Sequence, residues 1–114
     1  MPRHVTVAAA QMGPNNEGVS REECVDRMLA LLEQAIDRGV DVVAYPEMAM
    51  TPYFPKRIRD DWAQFFETET PPKALEPLLR RAGQAGVVVH VGYCELAGGR
   101  RFNTALLAGE SGTV

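Results

Sequence analysis

Few side chains in this sequence combine reactivity with a setting that would use it. Glu47 stands first among them. It follows the apolar run "VDVVAY" (40–45) and Pro46, and it precedes a loop rich in proline and aromatic residues, "MAMTPYFP" (48–55). A carboxylate just past the end of a buried strand is partly withdrawn from water, which disfavours its charged form and suits it to proton transfer near neutral pH. A glutamate in that place can equally cap a loop or pair with an arginine, and position alone does not separate the roles.

The remaining reactive groups read more plainly. Cys94 follows the apolar run "VVVHVGY" (87–93); a thiol is a nucleophile only as thiolate, and here it reads as a small, half-buried side chain. Cys24 falls inside a helical stretch beside its apolar stripe and reads as packing. His90, between Val89 and Val91, reads as a core or face histidine, and His4 as solvated. Lys56 and Lys73 sit in a loop and at a helix start. Arg100-Arg101 could hold a ligand carboxylate but reads first as a solvated pair at a hairpin, and Asn103 and Thr104 read as strand residues supporting a site. Phe54, close behind Glu47, is the candidate for a substrate-pocket wall, whereas Trp62, Phe65 and Phe66 read as core.

These groups need a scaffold, and hydrophobic periodicity outlines one. "HVTVAAAQ" (4–11) reads as a strand and "GPNNEG" (13–18) as a loop. Ser20 and Glu23 form an S-x-x-E capping box, in which each side chain satisfies an orphan backbone N–H. Val25, Met28, Leu29, Leu32 and Ile36 then make one apolar stripe, and Gly39 is a suitable stop. The run 40–45 reads as a buried strand, so strand, helix and strand make a βαβ unit with a parallel pair. After the loop 46–60, residues 60–69 form a short helix. A further helix runs from about Lys73 to Ala85, with Ala74, Leu75, Leu78, Leu79 and Ala82 inward; Pro77 predicts a kink or a later start. "VVVHVGYCEL" (87–96) and "RFNTALLAG" (101–109) form a hairpin about "AGGR" (97–100), and Thr113-Val114 open another strand.

The order is therefore β-α-β-loop-α-β-β. The handedness rule for parallel crossovers puts both helices on one side of the sheet, leaving the other face without a layer. In open α/β sheets ligands gather at the carboxyl ends of parallel strands, where Glu47 lies.

Composition bounds the partners. The 114 residues carry 12 Lys and Arg against 15 Asp and Glu, a net charge of −3 with no basic patch, which argues against nucleic acid. No apolar stretch reaches the ~20 residues needed to span a bilayer. The apolar part of "MPRHVTVAAAQM" is too short for a signal peptide and contains Thr6. Two cysteines outside any CxxC, with no nearby histidine cluster, argue against a disulfide framework or a zinc site. The expectation is a reduced, cytoplasmic protein.

The ordered set of motifs carries a family resemblance. "GVDVVAYPEMAMTPYF" resembles the first catalytic motif of the nitrilase superfamily of carbon–nitrogen hydrolases, a strand ending in a Pro-Glu pair. "VTVAAAQMGP" is similar to that family's opening strand, "RMLALLEQAIDRGVDVV" to its first helix and second strand, and "VVVHVGYCEL" with "RRFNTALLAGESG" to its third strand and hairpin. Within the superfamily, "TPYFP", "FFETETPP" and "RRFNTALL" resemble the N-carbamoyl-D-amino acid amidohydrolases.

The resemblance implies an α/β fold, the N-terminal portion of an αββα sandwich, with residues 1–114 an incomplete part of one hydrolase domain. It implies Glu47 as general base in a Glu-Lys-Cys covalent mechanism that hydrolyses N-carbamoyl amino acids, using no cofactor or metal. The matching lysine and cysteine lie beyond this chain, so the chain by itself is expected to be inactive. The expected partners are a small amide or carbamoyl substrate and further copies of the chain, with no nucleic acid and no membrane. Two alternatives stand beside this reading: a truncated, non-catalytic α/β module for assembly or binding, and a family amidase with another amide substrate.

Overall fold

The computed structural model describes residues 2–110 and, for the backbone, Gly112 and Thr113. Its elements in chain order are β1 (Val7–Ala9), α1 (Arg21–Asp37), β2 (Val42–Ala44), α2 (Glu76–Ala85), β3 (Val88–Ala97), β4 (Arg100–Gly109) and β5 (Gly112–Thr113), with single 3₁₀ turns at Phe54–Lys56, Trp62–Phe65 and Lys73–Leu75. The strands lie in sequence order in one sheet. β1, β2 and β3 run parallel, and β4 and β5 continue antiparallel.

Local chemistry accounts for the element ends. At the start of α1 the Ser20 hydroxyl accepts from the Glu23 backbone N–H at 3.1 Å, while the Glu23 carboxylate accepts from the Ser20 N–H at 2.8 Å. Pro77 falls in the first turn of α2, where its missing N–H has no helical partner to lose, so the helix starts late rather than kinking. The β3–β4 hairpin closes through Gly98 and Gly99, whose φ values of 57° and 72° belong to the left-handed region that a two-residue turn requires.

Both helices cover one face of the sheet. Cys24, Val25, Met28 and Leu32 of α1 and Leu78 and Ala82 of α2 pack with Val43, Val89, Val91, Tyr93 and Leu106 into a single core. Each such fully buried large side chain contributes on the order of 1.5–3 kcal/mol. The Tyr45 hydroxyl donates to the Met28 carbonyl at 2.8 Å, tying the end of β2 to α1. Leu29, Ile36, Ala74 and Leu79 are half-buried against the same core.

Among the described residues, none forms a layer over the opposite face. By strand register it carries Val7, Ala44, His90, Ala105 and Leu107. Val7 is 71% exposed and Leu107 42% exposed. His90 is half-buried on this face, and His4 is exposed.

Two expectations are corrected. The first strand spans three residues rather than 4–11, because β2 offers only Val42–Ala44 as partners. Residues 60–69 make one 3₁₀ turn instead of a helix. Its chain turns extended at Phe66, and Glu67 then spends its backbone groups on β3: the Glu67 N–H donates to the Cys94 carbonyl at 2.7 Å, and the Leu96 N–H donates to the Glu67 carbonyl at 2.8 Å. The expected strand at Thr113-Val114 is met at Thr113, which pairs with Ala108; Val114 lies outside the described residues.

Candidate active site

Glu47 leaves the carboxyl end of β2, held from both sides. Upstream, the Tyr45 N–H donates to the His90 carbonyl at 2.8 Å; downstream, the Ala49 N–H donates to the Gly92 carbonyl at 3.0 Å. Between them the chain crosses directly over Gly92. A Cβ on Gly92 would lie 3.0 Å from the Glu47 Cα and 3.4 Å from the Met48 nitrogen. Met48, at φ 51°, occupies the left-handed region that L-residues rarely adopt. Such a conformation costs on the order of 1 kcal/mol and persists only where surroundings over-determine it.

Those surroundings include an anchor from α1. The Asn15 side-chain amide donates to the carbonyls of Ala49 and Thr51, each at 3.0 Å. Arg27 in turn donates to the Asn15 side-chain oxygen, and to the Met12 and Pro14 carbonyls at 3.2 and 3.3 Å. The turn after Glu47 is thus bolted to the first helix.

The Glu47 carboxylate accepts a hydrogen bond from the side-chain amide of Asn103 on β4. Asn103 pairs in register with Cys94, so both side chains emerge on the uncovered face beside the glutamate. Around them is a cleft of about 370 Å³ lined by Glu47, Cys94, Asn103 and Arg101, with Tyr53, Phe54, Phe66 and Phe102 as aromatic walls. Glu47 itself is exposed, because the cleft opens on that bare face; the partial burial expected from its place at a strand end is not supplied by these residues.

The other candidates sort themselves around this cleft. Phe54 lines it and stacks on Phe65, with ring centroids 4.8 Å apart and planes 7° apart. Phe65 is buried, as expected of core, whereas Phe66 faces the cleft. Cys24 is fully buried in the core. Cys94 is buried rather than half-buried; burial first, then the charges of Glu47 and Glu67, pushes its thiol up and keeps it protonated. Lys56 lines a second, smaller cavity of about 210 Å³ that Glu47 also borders, and Lys73 lines neither. Arg100 and Arg101 are both exposed, as expected of a hairpin pair, and the Arg101 guanidinium carbon in addition sits 3.3 Å from the centre of the Trp62 ring. Thr104 donates to the Glu95 carboxylate at 2.9 Å, a supporting role. Among the described residues no cluster of histidine, cysteine or carboxylate side chains has the make-up of a metal site, and no helix is long and apolar enough to cross a membrane.

Asn103, read from the sequence as a strand residue supporting a site, holds the Glu47 carboxylate directly. Two contributors went unrecognised in the sequence. Asn15 was hidden in a run of turn formers. Gly92 left a signal: glycine inside a strand often marks the close approach of another backbone.

Solved structures share this architecture. A carbon-nitrogen hydrolase from Helicobacter pylori G27 superposes with a TM-score of 0.77 at 19% identity, over 96% of this chain and 38% of that one. An N-terminal amidase gives 0.75 at 19% identity, over 96% and 26% of the two chains. A glutamine-dependent NAD(+) synthetase from Cytophaga hutchinsonii gives 0.65 at 22% identity, over 96% and 18%. At these identities the likeness shows the fold, and the chain spans well under half the length of each. The sequence itself goes further: residues 6–114 match the profile of the carbon-nitrogen hydrolases, and with nearly the whole chain inside that match the protein belongs to the carbon-nitrogen hydrolase family.

Proposed function

We propose that this chain supplies the general base and one wall of the active site of an amidohydrolase acting on N-carbamoyl amino acids. The observation that carries the reading is Glu47 itself. Its backbone is seated on Gly92, its carboxylate is held by Asn103, and it faces an aromatic-walled cleft at the end of a parallel strand. A base oriented this firmly is pre-positioned for proton transfer.

In the proposed reaction Glu47 takes the proton of a cysteine thiol as the sulfur attacks the carbamoyl carbon, and a lysine stabilises the tetrahedral oxyanion. The amino acid leaves, and Glu47 then activates water against the carbamoyl-enzyme. One urea-type substrate and one water yield the free amino acid, carbon dioxide and ammonia. We assign the nucleophile and the lysine to sequence beyond these 114 residues: Cys94 is buried with its thiol held protonated, and neither Lys56 nor Lys73 lines the cleft. The chain alone is then inactive. The likeness of "TPYFP" and "RRFNTALL" to the N-carbamoyl-D-amino acid amidohydrolases supports the carbamoyl substrate over other amides.

The test is Glu47→Gln in the full-length protein, assayed for ammonia release from N-carbamoyl amino acids. Turnover should fall by on the order of 10²–10⁴, the contribution of a positioned base. Near-normal turnover removes Glu47 from the mechanism. A wild-type protein that hydrolyses no amide or urea leaves the assembly-module alternative, for which the exposed apolar sheet face already provides a surface.

A further inference from the structure

The cleft contains a cation that the proposed chemistry does not use. Arg101 lies on the same face of β4 as Asn103, two residues along the strand. Its guanidinium carbon is 3.3 Å from the centroid of Trp62, close enough only for a face-on contact. Such stacking fixes the plane of the group while leaving its in-plane N–H donors available. Nothing among the described residues takes those donors. Arg21 is paired with Glu67, and Arg59 with Asp61 and with Glu17 at 2.9 Å, while Arg100, which has no ion pair among the described residues, stacks over Phe102 at 5.7 Å and does not line the cleft. The neighbouring carboxylate of Glu95 is satisfied by Thr70 and Thr104. Arg101 is therefore an oriented fork without an anion, in the cleft that Glu47 also lines.

We propose that Arg101 is the anion-binding residue of this cleft, and that it selects substrates carrying a carboxylate beside the scissile carbon–nitrogen bond. The assignment rests on the hydrolase reading above and adds to it the residue that reads the acid group. Electrostatics requires such a residue. A general base that works as a carboxylate repels an anionic substrate unless a nearby cation offsets it. Spacing suits the role. Same-face neighbours on a strand are about 7 Å apart at the backbone, so Arg101 and the Asn103 that holds Glu47 enter the cleft from adjacent same-face positions. In an N-carbamoyl α-amino acid only a nitrogen and the α-carbon separate the reacting carbon from the carboxylate. A bidentate guanidinium–carboxylate contact then fixes the substrate's orientation as well as its charge.

The experiment compares two ureas in the full-length protein: N-carbamoyl-alanine, and N-ethylurea, which is the same molecule without its carboxylate. Wild-type protein should favour N-carbamoyl-alanine in kcat/KM. In Arg101→Ala that preference should shrink by on the order of 10–100-fold, as expected for loss of a charge-assisted hydrogen bond, with the change carried mainly by KM. Arg101→Lys keeps the charge and loses the fork; it should fall between the two, and it decides the matter should the alanine variant not fold. A preference unchanged in both variants, or a wild type indifferent to the carboxylate while Glu47→Gln still abolishes turnover, overturns the Arg101 assignment and leaves the hydrolase reading standing. Absence of turnover on both ureas and on other amides overturns the hydrolase reading and the assignment together.

Discussion

Replacing Gly92 with alanine tests the idea that Glu47 is positioned by backbone contact rather than by its own side chain. The added Cβ would meet the Glu47 Cα at 3.0 Å, with the Met48 nitrogen and the Pro46 carbonyl oxygen both at 3.4 Å. All three are backbone atoms. The segment cannot swing aside freely: the Ala49 N–H is bonded to the Gly92 carbonyl itself, and Asn15 clamps the carbonyls of Ala49 and Thr51. The chain must move by a few tenths of an ångström against these bonds, an overpacking that costs about 1–3 kcal/mol. Loss of glycine's extra freedom in the unfolded chain returns about 0.4–1 kcal/mol, leaving a net loss of roughly 1–2 kcal/mol. Gly83 is the control, because nothing lies within 4 Å of a Cβ built there and it sits inside α2. Gly83→Ala should stabilise by up to about 1 kcal/mol. Thermal unfolding of the full-length protein should show Tm shifts of opposite sign, about 2–4 °C per kcal/mol for a domain of ordinary size. Hydrolysis by Gly92→Ala should fall further than its stability explains, since small displacements of a catalytic group are expensive. A Gly92→Ala protein as stable and as active as wild type would refute the reasoning.

Two more outcomes follow from the geometry. Ser20→Ala removes the α1 cap and should cost about 1 kcal/mol in denaturant unfolding. Ser20 holds the Glu23 carboxyl below its usual range, first through its backbone N–H and then through its hydroxyl, so the contribution of the Glu23 carboxylate is present above the ordinary carboxylate range and fades as pH falls through the lowered value; an acid limb of stability identical in wild type and Glu23→Gln argues against it. Cys94 should alkylate with iodoacetamide more slowly than free cysteine at neutral pH, its rate rising only above the ordinary thiol range of about 8.5. Glu47→Gln should speed the reaction without restoring free-thiol behaviour, since burial is the larger cause; a fast, pH-independent reaction would contradict the buried, protonated thiol.

Much of the scaffold was legible because it is dictated locally. The Ser20–Glu23 box, the stripe from Val25 to Ile36, Pro77 and the Gly98-Gly99 turn each act within a few residues, so their geometry is written in adjacent letters. The single-sided placement of the helices also followed, from the right-handed crossover of parallel strands. Legibility failed where competition is long-range. Residues 60–69 have helix-compatible side chains, yet Glu67 finds a better backbone partner on β3, and the helix gives way.

The sequence by itself determined that a carboxylate would stand at the end of a parallel strand, with a stiff aromatic loop behind it. Tertiary structure alone decided what surrounds that carboxylate. Asn103 is separated from Glu47 by 56 positions, and Asn15 lies 34 positions from its partner Ala49. Trp62 meets Arg101 only because Glu67 docks on β3 and brings its own neighbourhood to the hairpin. Hydrogen bonds and stacking act over a few ångströms of space irrespective of chain separation. The amino-acid order therefore announces the base, and the fold chooses its partners.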